Sequence, residues 1–146
     1  MAGLRREVVA GQALRVGVRD VARVHDIVFD SGHPASLARF WAAVLDGYRV
    51  APYDEEGLRR LGEKGVDDPE DDPRVLVEAG PGLPRYFFVL VPEGRVAKNR
   101  VHLDLGADDP AAEVTRLVGL GAVAVREFEG WVRMADPEGN EFCVLR

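Results

Sequence analysis

Residues 100–121, RVHLDLGADDPAAEVTRLVGLG, place a short β-rich run, a capped helix and its stop signal within twenty-two positions. Asp109 is a good N-cap because its carboxylate can accept from the first free helical N–H groups, and Pro110 suits the first turn. Val114, Leu117 and Val118 then fall on one face, and Gly121 is the natural stop because glycine alone adopts the left-handed conformation at low cost. The same design occurs earlier in the chain, where HDIVFD (25–30) is followed by PASLARFWAAVL (34–45) with Leu37, Phe40, Trp41, Val44 and Leu45 on one stripe.

Laying Pro34 over Pro110 gives an offset of 110 − 34 = 76, which also superposes Asp26 on His102, His33 on Asp109, Ala35 on Ala111 and Trp41 on Leu117. The chain reads as internally duplicated. Its second copy runs strand 100–105, helix 110–119, and strands 122–127, 131–135 and 141–145. The first fits the same βαβββ plan, with strands near 25–30, 48–51, 74–78 and 85–91. Two such modules, 23–92 and 98–146, make one α+β domain over 23–146. The expectation is a curved eight-stranded arrangement round a cavity with the helices outside, preceded by a partly mobile N-terminal extension, 1–22.

The 146 residues suffice for one domain. Nineteen Lys and Arg against 25 Asp and Glu leave a net charge of −6, which repels a phosphate backbone, so nucleic acid is not expected as a partner. No apolar run reaches membrane-spanning length and the N-terminus lacks a signal peptide's apolar centre; a cytoplasmic protein without a membrane partner is expected. Cys143, the one cysteine, excludes an internal disulfide and a cysteine-based zinc cluster. Residues 54–72 carry nine acids against three bases, a net −6 that equals the charge of the whole chain. This segment is expected to be a solvated, mobile insertion, or else a lid: a short helix with Leu58 and Leu61 inward, then a proline-broken loop.

HPASLARFWAAVLDGY (33–48), DDPEDDPRVLV (67–77), VPEGRVAKNRVHLDL (91–105) and WVRMADPEGNEFCVL (131–145) together resemble the glyoxalase-like, bleomycin-resistance-like branch of the vicinal oxygen chelate superfamily, over nearly all of 24–146. The resemblance implies paired βαβββ modules, a U-shaped cavity and frequent homodimers. It implies no single reaction, since the superfamily holds lyases, epimerases, dioxygenases, thiol transferases and metal-free drug-binding proteins. Metal-dependent relatives generally draw ligands from the first and last strands of each module, positions that here look like Asp26, Val89, His102 and Cys143. Val89 has no donor atom, and Cys143 stands where a carboxylate is usual.

Strand alternation puts His102 and Asp104 on one face and Val101, Leu103 and Leu105 on the other, which should meet the helix. By the offset, Asp26 and Val28 share the cavity face of the first module while Ile27 and Phe29 lie under its helix. In the last strand Glu141 and Cys143 face the cavity, and Phe142 and Val144 the core. His102, Asp104 and Glu141 are therefore the candidate catalytic or orienting groups. Asp26, Val89, Cys143, Phe88 and Trp131 are candidate ligand contacts, and Asp26, His102 and Glu141 would be the set for a divalent metal. Lys98 and Arg100 flank that site with positive charge. Of Tyr86, Phe87, Phe88 and Trp131, at least half should be core. His25 and His33 read as a strand start and a helix cap.

Two functions remain open. One is a cavity protein that binds a small organic ligand, aromatic or anionic, with no cofactor and no tightly bound metal. The other is a divalent-metal-dependent lyase, isomerase or dioxygenase of the same superfamily, in which Glu141 or Asp104 moves a proton.

Overall fold

β1 (Asp26–Ser31) opens the first module, and α1 (Pro34–Val44), β2 (Arg49–Val50), β3 (Arg74–Glu78) and β4 (Arg85–Leu90) complete it. The second repeats the plan as β5 (Asp104–Leu105), α3 (Pro110–Leu120), β6 (Val123–Glu127), β7 (Trp131–Ala135) and β8 (Glu141–Leu145), α2 (Glu55–Glu63) being an insertion in the first. A computed structural model describes residues 21–146; of the N-terminal extension expected over 1–22, residues 1–20 lie outside the described residues.

Each module forms a four-stranded sheet, ordered β1-β4-β3-β2 in the first and β5-β8-β7-β6 in the second. In both, the module's first strand runs parallel to its last, and the other neighbours are antiparallel. The topologies match strand for strand, which is the structural form of the 76-residue offset. The eight strands are thus divided into two sheets of four with no closed barrel.

Both major helices start as their sequences dictate. His33 Nδ1 accepts from Ser36 N at 3.3 Å and Asp109 Oδ1 from Ala112 N at 3.0 Å, and each cap is followed by proline. Gly121 ends α3 at φ 113°, the left-handed region. α1 buries Leu37, Phe40, Trp41 and Val44 among others, and its aromatic face touches both sheets. Trp41 lies 5.4 Å from Phe29 of β1 and 5.2 Å from Phe142 of β8, ring centre to ring centre, so one core runs through both modules. Within the expected plan α1 is consequently the interior helix and α3 the peripheral one. Only Leu117 of α3 is fully buried; Val114 is partly buried, and Val118, expected inside, is 48% exposed because it points away from the sheet.

The β7–β8 turn, DPEGN, ties the second module to α1. Buried Asp136 accepts from Trp41 Nε1 at 3.0 Å while its own turn supplies Glu138 N, Asn140 N and Asn140 Nδ2, each at 2.9 Å. Glu138 reaches the start of α1, accepting from Ser31 Oγ and Gly32 N, both at 2.6 Å. At the other end of α1, Arg116 of α3 donates to the carbonyls of Ala43 (2.8 Å) and Val44 (3.1 Å). These are carbonyls that the last turn of a helix leaves free, so the second module satisfies the C-terminal end of α1 and fixes the chain entering its His33-capped N-terminus.

The acidic insertion is better anchored than its composition suggests. Leu61 of α2 is buried while Leu58 remains exposed, and the proline-rich stretch forms a 3-10 turn at Pro69–Asp71. Arg39 of α1 grips Glu70 through two bonds of 2.6 and 2.7 Å, and Tyr53 Oη donates to Asp72 at 2.7 Å. The expectation of a segment with little to pack against is corrected: local composition does not register partners on a distant helix.

Candidate functional site

Alternation along β7 and β8 builds the site. Val132, Met134, Phe142 and Val144 are buried in the core, which turns Trp131, Arg133, Glu141 and Cys143 to the opposite face of the second sheet. β5 adds Asp104 directly opposite Cys143, and Cys143 opposite Arg133 follows in the next ladder. Regular pairing in β5 covers only two residues of the expected 100–105, although Cys143 N still donates to Leu103 O at 2.9 Å. Val101, expected on the core side, is exposed.

A pocket of about 300 Å³ opens on this face. His102, Asp104, Glu141, Cys143 and Trp131 line it together, as do Lys98, Arg133 and Leu145. His102 Nε2 stands 3.3 Å from Asp104 Oδ1. Lys98 Nζ donates to Glu141 at 2.8 Å, and this bond holds the Glu141 carboxyl below its ordinary range. Cys143 is only 7% exposed; burial, then the neighbouring Asp104 carboxylate, push its thiol above the usual value. A thiol so placed stays protonated near neutrality, the opposite of what a nucleophile needs. Trp131 stacks on Phe128 with ring centres 4.6 Å apart, and the Arg126 and Arg133 guanidinium groups lie 4.9 and 5.3 Å from the Phe128 ring centre.

The remaining sequence candidates lie elsewhere. Phe88, taken as a ligand contact, is fully buried in the core, since Tyr86 and Phe88 share the inward parity of β4. Asp26 and Val89 belong to the outer face of the first sheet. There Arg85 donates to the Asp26 carboxylate at 2.8 and 3.2 Å and His25 Nδ1 lies 2.9 Å away, so the Asp26 pKa is lowered, mainly by the Arg85 bonds. Asp26 therefore does not join His102 and Glu141 in the described chain. The donors that do come together are His102, Asp104 and Cys143, whose ligand atoms all lie within 4.8 Å of one another. The four-position arrangement implied by resemblance does not fit this chain: one position lacks a donor and another is committed to an arginine. Arg133 and Phe128 were not singled out from sequence, although the parity that places Trp131 outward places Arg133 beside it.

No helix among the described residues is long and apolar enough to cross a membrane. No curated protein matches the sequence. Solved structures share the fold at low identity. FosX, the fosfomycin resistance protein of Mesorhizobium loti, is 12% identical with TM-score 0.58, over 86% of this chain and 91% of that one. The trypanothione-dependent glyoxalase I of Leishmania major is 16% identical with TM-score 0.55, over 86% and 87%. A glyoxalase/bleomycin resistance/dioxygenase family enzyme of Burkholderia phytofirmans is 13% identical with TM-score 0.57, over 84% and 97%. The family model described as a glyoxalase-like domain matches residues 26–145, the whole span from β1 to β8, and the chain belongs to that family.

Proposed function

We propose that this protein binds a small, planar, anionic organic ligand in the pocket on the outer face of its second sheet, without a tightly held metal ion. The observation that carries the reading is the pairing of Arg126 with Arg133. They are directly opposed across β6 and β7, and neither forms an ion pair among the described residues. Like charges directly opposed in a sheet are unfavourable; both guanidinium groups flank the Phe128 ring and of the two only Arg133 lines the pocket, so an anion bound there offsets the conflict from the Arg133 side. The Phe128–Trp131 stack beside them offers an aromatic surface, with Trp131 at the pocket wall, and His102 and Lys98 supply further donors. A homodimer belongs to the same reading. The outer face of the first sheet carries Val28, 55% exposed, beside its half-buried cross-strand neighbour Phe87, over whose ring the Arg74 guanidinium lies at 4.3 Å, a small apolar strip with a cationic edge for a second copy.

Aromatic carboxylates titrated into the protein should perturb Trp131 fluorescence. Arg133→Ala should weaken the best binder by about 10- to 100-fold, the value of one charge-assisted hydrogen bond, with the circular dichroism unchanged. Equal binding of the neutral amide, or no effect of Arg133→Ala, would sink the reading. Light scattering at micromolar concentration tests the dimer.

The second reading is a divalent-metal-dependent lyase, isomerase or dioxygenase acting on a small oxygenated substrate. What favours it is the likeness to a glyoxalase I and a fosfomycin resistance protein. Metal retained after dialysis against a weak chelator, and lost in His102→Ala, would replace the first reading with this one.

A further inference from the structure

Residues 92–102, PEGRVAKNRVH, join β4 to β5 along the rim of the pocket and belong to no helix or strand. The chain is fixed at either end, where Val91 N donates to Ser31 O at 3.0 Å and Leu103 O accepts from Cys143 N at 2.9 Å. Between those points no backbone–backbone hydrogen bond forms among the described residues. The segment instead hangs on the β7–β8 turn and the start of β8. Asn99 donates to Asn140 Oδ1 at 3.0 Å and accepts from Glu141 N at 3.4 Å, Lys98 pairs with Glu141 at 2.8 Å, and Arg95 lies over Gly139, where an added Cβ would stand 3.4 Å from its Nε. A stretch with few buried contacts and an unpaired backbone opens at low cost.

In an extended chain Val96, Lys98, Arg100 and His102 share one side. Lys98 and His102 line the pocket, so that side is the one turned towards it. Val96, on the same side, is 99% exposed, the most exposed large apolar side chain among the described residues, and Arg100 forms no ion pair among them. We propose, as an extension of the anionic-ligand reading and dependent on it, that 92–102 is a strap that closes over a monoanionic ligand: Lys98 leaves Glu141 for the ligand's carboxylate, Arg100 joins as a second strap cation, and Val96 covers the ring. Charge gives the reason for closure. In the open pocket Lys98 and Arg133 are cancelled by Asp104 and Glu141, and Arg100 brought in leaves the closed site one net positive charge, the match for a single carboxylate.

Benzoate is the probe, with Trp131 fluorescence reporting binding and trypsin reporting the strap. In the free protein trypsin should cut after Arg95, Lys98 and Arg100 before it cuts within any helix or strand, and saturating benzoate should slow those cuts about 10-fold or more. Lys98→Ala, Arg100→Ala and Val96→Ser should each weaken benzoate about 3- to 10-fold, while Val101→Ser, on the opposite side, should not. Glu141→Gln releases Lys98 and should tighten benzoate about 3- to 5-fold, a gain that vanishes in the Lys98→Ala background. Terephthalate, which adds a second charge to the same ring, should bind more weakly than benzoate. A strap that resists trypsin in the free protein overturns the proposal. So does a strap cut at its old rate although Trp131 responds to benzoate, a loss in Val101→Ser equal to that in Val96→Ser, or tighter binding of terephthalate. Those results leave the anionic-ligand reading standing, whereas no Trp131 response to benzoate or any other aromatic carboxylate overturns that reading and the strap with it.

Discussion

Removing the Asp136 carboxylate is the most informative single perturbation of the fold. In Asp136→Ala four hydrogen bonds go, and the Trp41 indole N–H, fully buried, is left without an acceptor. The turn amides freed at Glu138 and Asn140 are only part-buried and find water, so the indole dominates. An unsatisfied buried donor costs about 1–3 kcal/mol and a hydrogen bond to a charged group is worth about 1.5–3 kcal/mol net, so a loss of about 3–5 kcal/mol is expected. For a domain of this size that lowers Tm by roughly 10 °C or more. Asp136→Asn should rescue only part of this. All four partners are donors, and an amide offers one accepting atom where the carboxylate offers two. Trp41→Phe removes the same bond from the other side, so a cycle of Asp136→Ala, Trp41→Phe and the double variant isolates it. Urea unfolding with unchanged m should give a coupling of about 1.5–3 kcal/mol. A coupling below about 0.5 kcal/mol would refute the claim that this bond ties the modules together.

Phe142→Ala empties the point where the second sheet meets Trp41 and Phe40, and should cost about 3–5 kcal/mol while unfolding stays a single transition by calorimetry. Gly121→Ala forces a side chain to φ 113° and should cost about 1–2 kcal/mol in thermal melts. On the acid side, Asp26, Glu70, Glu113 and Glu141 all have lowered pKa values, held chiefly by hydrogen bonds from Arg85, Arg39, Arg116 and Lys98. The folded state then binds fewer protons than the unfolded chain. The stability these groups add is complete above the ordinary carboxylate range and should fade as pH falls from about 5 through their folded values. The pairs are largely exposed, so unfolding curves should show the acid loss shrinking in high salt.

Periodicity carried most of the fold. The stripe read over 34–45 is the helix Pro34–Val44, and strand alternation alone separates Phe142 and Val144 from Glu141 and Cys143. Such patterns are local, and a local pattern survives whatever the chain does elsewhere. The losses came where the deciding partner is remote in sequence. Arg85 meets Asp26 across fifty-nine positions and Arg39 meets Glu70 across thirty-one, so neither a committed carboxylate nor an anchored insertion shows in composition. Parity also names a face without saying what lies before it. The offset made Asp26 the counterpart of His102, yet Asp26 pairs within the first sheet while His102 lies just outside β5, and only His102 lines the pocket.

The capping of α1 by the second module has a consequence for synthesis. The helix is complete at Val44, but its indole acceptor arrives with Asp136, its C-terminal guanidinium with Arg116 and its aromatic neighbour with Phe142. At the usual elongation rates, the 142 − 44 = 98 residues between helix end and last partner take about 5–20 s to make. Throughout that interval the nascent chain holds Phe40 and Trp41 before the Phe142 ring and the Asp136 carboxylate that cover them exist, so the apolar face of α1 is exposed until synthesis is almost complete.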